Sequence, residues 1–233
     1  MNDKLNKINV LSAGALEPGL VDSARAFGSA SGLEVAIQWA TTPMIRQRMT
    51  HGVSADLLIV PTAAAEDFAA AGKVDNAAHV DLGRVGVGIG VRKGAPIPDV
   101  STTQALAHSL LDADSVVINR ASSGIYMETL LARLGVKHAI EHKLLRIIDG
   151  PQMMRHLIHG EGREFGFCAS VEIVLYHDRG MQLAGMLPED VQYYTLYTAV
   201  PMLNASNPTG ARAFLAYLST EQSRRHFRAY GIT

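Results

Sequence analysis

The stretch NVLSAGALEPGLVDSARAF, residues 9–27, decides the fold. An apolar run ends at Ser12, a small glycine-containing turn follows, and helical spacing predicts a helix over 15–30. A strand that hands over to a helix through Ser-Ala-Gly-Ala leaves amides and a hydroxyl at the junction. Small residues suit a tight turn, and a helix start with unpartnered N–H groups is also an anion site. The same handover repeats further along. EVAIQWA (34–40) predicts a strand and 42–51 a helix, then ADLLIV (55–60) a strand and 61–71 a helix. A βαβαβ run of this kind implies a parallel sheet with helices on its faces.

VGVGIGVRKG (85–94) breaks the rhythm by alternating glycine with apolar residues. It lacks phosphate-loop spacing, so its glycines mark close backbone approach rather than a dinucleotide site. A second α/β series follows: a helix at 102–111, SVVIN (115–119), a helix at 123–134, KLLRII (143–148), a helix at 151–160 and FGFCA (165–169). VQYYTLYTAVPML (191–203) is β-rich, and 207–232 closes with two helices, the first placing Ala211, Phe214, Leu215 and Leu218 on one face. The chain is thus expected to cross twice, near 84–92 and 192–202. Two lobes are predicted, residues 1–84 plus 200–233 and residues 85–199, with a ligand cleft between them.

Composition limits the function. The 233 residues are 48% hydrophobic and 18% charged with net charge −1, so no global field recruits nucleic acid or an anionic membrane. The single cysteine, Cys168, rules out an intrachain disulfide and a cysteine-rich zinc site. No apolar run approaches the roughly 20 residues of a membrane span. The polar start MNDKLNKINV has no secretory leader as written. This implies a cytoplasmic location, or a periplasmic one if a leader was trimmed. The nine histidines do not form a metal-ligand pattern, although His156 and His159 are three apart. No cofactor and no metal are expected.

Four stretches resemble the type II periplasmic solute-binding proteins, and most closely their molybdate-binding branch in ABC transporters. They are VLSAGAL, WATTPMIRQRMTHGVSADLLIV, SSGIYMETLLARLG and ARAFLAYLSTEQSRRHFRAYGI. The resemblance runs from about residue 8 to the end. It implies a two-lobed fold, a small anionic ligand such as molybdate or tungstate, an ABC permease as partner and a monomer. It also implies that Ser12 and the adjoining Ala13, with Thr41 and Thr42, face the ligand on one lobe. Ser122, Ser123 and Met153 would do so on the other, largely through amides at helix starts. Each of these residue types also serves as an ordinary helix cap.

Two features depart from that branch. Ala169 stands where its tyrosine hydroxyl is found, with Ser170 or Tyr194 as substitutes. Arg120 in INRASSG sits at a strand end before a helix, where a guanidinium suits a carboxylate. Arg46, Arg48 and Arg155 read as solvated helix faces. An aconitate isomerase resembles the same branch, so an isomerase of a small carboxylate is the second reading, with His51, His156, Glu172 and Cys168 as candidate bases. A stand-alone sensor is the third, from the similar effector domain of LysR-type regulators.

Overall fold

In the computed structural model, residues 6–233 are described; the polar start before Asn6 lies outside them. The chain divides into two units, one running up to Arg84 and resuming over Leu196–Thr233, the other spanning Val85–Thr195.

In the first unit, β1 (Lys7–Ala13) is the inner strand of a parallel set, flanked by β2 (Glu34–Ala40) and β3 (Leu57–Pro61). The returning strand β9 (Tyr194–Pro201) adds antiparallel to β3, Leu57 opposite Pro201. β1 does not pass straight into a long helix. A 3₁₀ turn, Gly14–Leu16, intervenes before α1 (Glu17–Ser31), whose first turn holds Pro18, with its φ preset for a helix start. α1 packs against α9 (Pro208–Leu218) and α10 (Glu221–Arg228). Gly19 permits this approach, because a Cβ there would lie 2.6 Å from Phe227 Cδ1. Phe27 and Phe214 meet at 5.1 Å between ring centroids, and Ser23 and Ser223 share a buried hydroxyl hydrogen bond of 3.0 Å. The remaining helices are α2 (Thr42–Thr50) and α3 (Thr62–Ala70).

Asp56 is the polar centre of this unit, with no exposed surface. Its Oδ2 accepts from the Asn9 amide at 2.8 Å, and its Oδ1 accepts from the Asn207 amide at 2.8 Å and the Ser206 hydroxyl at 3.0 Å. Burial pushes the carboxyl pKa up, but the hydrogen bonds together outweigh it and hold the group below its ordinary value.

The second unit is a mixed sheet in which β5 (Ser115–Asn119) pairs parallel with β6 (Leu144–Ile147) and β7 (Glu164–Ala169). β4 (Val80–Arg92) pairs antiparallel with β7 and with β8 (Met181–Met186). Its helices are α4 (Thr103–Asp112), α5 (Ser122–Arg133), α6 (Lys137–Ile140), α7 (Gly150–Ile158) and α8 (Ser170–Leu175). Alternation along β4 sends Val87, Ile89 and Val91 into the core with Leu106, Leu130 and Phe167. The opposite face is glycine, and α8 lies on it. A Cβ on Gly88 would meet Ser170 Cα and Cβ at 3.0 Å, and one on Gly90 would meet Ile173 Cγ1 at 3.2 Å. The glycine alternation thus marks a packing face, as its composition predicts. Gly88→Ala is expected to cost about 1–2 kcal/mol through overpacking. Thermal denaturation checks this, and an unchanged melting temperature would show that α8 shifts freely.

Candidate functional site

In open α/β sheets, ligands bind beyond the carboxyl ends of the parallel strands. In the first unit, register places Ala13 beside Ala40, so the ends of β1 and β2 are adjacent. This brings Ser12 and Ala13 together with the turn carrying Thr41 and Thr42. Ser12 is fully buried, and its hydroxyl donates to the Ala13 carbonyl at 3.0 Å. Thr41 is the N-cap of α2: its Oγ1 accepts from the Met44 amide at 3.4 Å, which leaves its own O–H to donate. Pro43 has no amide proton, so the Thr42 amide and hydroxyl complete the donors of this turn. Arg46 is engaged with Asp67 at 2.6 Å, as a surface helix residue would be.

In the second unit, the parallel strands β6, β5 and β7 deliver the starts of α7, α5 and α8 to one sheet edge. Of these three, the start of α5 is the one without a carboxylate in its cap or first turn. Its N-cap, Ala121, has no capping side chain, and its first turn contains no acidic residue. The first amide with an acceptor in the helix is Ile125, bonded to the Ala121 carbonyl, so the Ser122, Ser123 and Gly124 amides have no partner within it. Exposed Arg120 precedes this turn. Asn119, which sequence reasoning did not single out, closes it from below. Its Oδ1 accepts from the Ala121 amide at 2.9 Å and from the Ser123 hydroxyl at 3.4 Å. Because Ser123 Oγ donates inward, Ser122 supplies the remaining hydroxyl of the turn.

Met153 does not supply the helix-start donor that the resemblance implies. α7 starts at Gly150, three residues earlier, with Asp149 as N-cap and a proline in its first turn. The Met153 amide is therefore already inside the helix and donates to the Asp149 carbonyl at 3.1 Å, while its side chain is buried. This helix start already faces carboxylates. Asp149 Oδ1 accepts from the Gln152 amide at 2.8 Å, and a Cβ on Gly150 would lie 2.6 Å from Glu172 Cδ. A third negative group is disfavoured there. Ser170 opens α8 and is nearly buried.

The candidate bases differ in setting. Burial raises the Cys168 thiol pKa well above its ordinary value, so it stays protonated. His156 Nε2 pairs with Glu164 Oε1 at 3.0 Å, and His51 Nδ1 bonds the Gln47 carbonyl oxygen at 2.8 Å. Glu172 is half-buried at the start of α8. Among the described residues no helix is long and apolar enough to cross a membrane.

Parallel strands ending in hydroxyl-bearing helix starts, in two α/β units joined through two strands, define a solute-binding architecture. The chain belongs to the family of bacterial extracellular solute-binding proteins, whose family model matches residues 8–233. It is 28% identical over 231 residues to an aconitate isomerase of a Pseudomonas species, covering 97% of this chain and 87% of that protein. It is 24% identical over 232 residues to the molybdate-binding protein ModA of Escherichia coli strain K12, covering 97% and 89%. The periplasmic molybdate-binding protein of Azotobacter vinelandii superposes with a TM-score of 0.82 at 14% identity, covering 97% of this chain and 98% of that one. The fold expected from sequence, that of the periplasmic molybdate-binding proteins, is borne out.

Proposed function

We propose that this solute-binding protein takes a small anion, and that the anion carries a carboxylate. The observation that carries the reading is the first turn of α5. Three amides and the Ser122 hydroxyl lie at one helix start whose first turn is free of acidic residues, and the exposed Arg120 immediately precedes it in the chain. Neutral donors and a helix dipole hold an anion, and the guanidinium adds the bidentate geometry that a carboxylate matches. Within the first unit, Ala13, Thr41 and Thr42 are further candidate donors, whereas the Ser12 hydroxyl is already given to the Ala13 carbonyl; within the second unit, Ser170 is another. Bare molybdate or tungstate is less well served. The start of α7 already faces Asp149 and Glu172, and Ala169 has no hydroxyl. As in its family, the protein would act outside the cytoplasm and hand its solute to an ABC permease.

The test is thermal denaturation against molybdate, tungstate, sulfate, phosphate, citrate, and cis- and trans-aconitate. A ligand at a hundred times its Kd is expected to raise the melting temperature by roughly 5–10 °C. Arg120→Ala is expected to weaken carboxylate binding by about 10- to 100-fold, a larger loss than for sulfate, and equal losses would count against the assignment. A shift with molybdate or tungstate alone would overturn the carboxylate assignment.

The full-length similarity to an aconitate isomerase favours a second reading, in which the bound carboxylate is converted. Glu172 would take an allylic proton from one carbon and return it at the other end of the shifted double bond. The α5 donors would stabilise the enolate-like charge between the two steps. Proton NMR of cis-aconitate with the protein decides this: formation of the trans isomer supports conversion, and an unchanged spectrum leaves binding alone.

A further inference from the structure

We propose that Asn119 is the residue that makes the α5 turn selective for anions, because it supports the turn with an uncharged group. The inference rests on the anion reading above and concerns a residue beneath the ligand rather than one that touches it. Asn119 ends β5 and is only 2% exposed. One side of its amide is fully used, since Oδ1 collects the Ala121 amide and the Ser123 hydroxyl. The other side is not. Nδ2 is buried and has no hydrogen-bond acceptor among the described residues.

An aspartate at this position would perform the same two acceptor tasks and would leave no donor unpaired. Aspartate and asparagine also serve alike in turns where the side chain accepts from the amide two residues on. The protein uses the carboxylate at comparable places. Asp149 caps α7, and the fully buried Asp56 collects two backbone amides and a hydroxyl in the first unit. At α5, by contrast, the group is neutral, at the cost of a buried unpaired donor. The physical difference is charge. A carboxylate beneath the Ser122, Ser123 and Gly124 amides would cancel the positive end of the helix and repel an anion seated on it. The asparagine keeps the donors in place without adding a negative charge beneath them.

The experiment measures two properties of the full chain: melting temperature without added anion, and affinity for molybdate, sulfate, citrate and trans-aconitate by calorimetry. Asn119→Asp is expected to melt within a few degrees of the parent and to bind anions roughly 10- to 100-fold more weakly. Asn119→Ala removes the acceptor without adding charge, so it is expected to melt lower than the Asp variant yet bind anions more tightly than it does. This crossed order supports the assignment. Binding by the Asp variant equal to the parent, or the same rank order for both properties, overturns it. An Asp variant that fails to fold also overturns it, since the amide would then serve the fold. A parent protein that binds none of the four anions overturns the anion reading itself.

Discussion

Asp56→Ala is expected to destabilise the protein by about 3–5 kcal/mol, lowering the melting temperature by roughly 10 °C. The change strands the Asn9 and Asn207 amides and the Ser206 hydroxyl around the fully buried position. Each orphaned buried donor costs about 1–3 kcal/mol, and a cavity adds to that. The effect has a pH signature. The folded carboxyl has a lowered pKa, so the folded state releases its proton more readily than the unfolded chain. Its contribution is full above the ordinary aspartate pKa of about 3.9 and is lost as pH falls through the folded value. Denaturation curves of parent and Asp56→Asn are therefore expected to differ most near neutral pH and to converge in acid. A difference that persists unchanged at low pH would show that the charge is not what the amides hold.

The second large effect concerns Gly124. Glycine to alanine inside a helix ordinarily stabilises by about 0.5–1 kcal/mol. Here the sign is expected to reverse, with a loss of about 2–4 kcal/mol. A Cβ on Gly124 would overlap the Asn119 carbonyl oxygen, with the carbonyl carbon at 2.6 Å and Oδ1 at 3.0 Å. Both sides are backbone or held side chain, so the first turn of α5 must move away from β5. The anion donors move with it, and affinity is expected to fall at least tenfold. Calorimetric binding together with thermal denaturation checks both. Full affinity in Gly124→Ala would place the ligand away from this turn.

Most of the first unit was legible because each strand and helix there carries its own local pattern. INVLS, EVAIQWA and ADLLIV became β1, β2 and β3 with edges moved by a residue or two. The second unit was less so. β8 reads MQLAGM with little burial contrast along it, and α8 reads SVEIVL, six residues whose β-branched content resembles a strand. Both depend on the glycine face of β4, a contact made at long range. Thr41 was readable as a helix cap from residue type and position alone. The Met153 assignment failed on a boundary. In DGPQMM, an N-cap aspartate and an early proline place Met153 beyond the free first turn. Asn119 does carry a local signal that the sequence reading passed over: an asparagine at a strand end can accept from the amide two residues on and the hydroxyl four residues on, as it does with Ala121 and Ser123.

Asp56 has one more consequence, for the order in which a nascent chain acquires structure. The hydrogen bond that the Asn207 amide donates to Asp56 and the one between Ser23 and Ser223 span 151 and 200 residues. The first unit is therefore unfinished until the last segment has been synthesised, although its opening strands emerge first. The second unit, continuous over Val85–Thr195, has every strand it needs well before that. The middle of the chain is thus expected to fold while the ribosome is still at work, with the first-made segment waiting for the last.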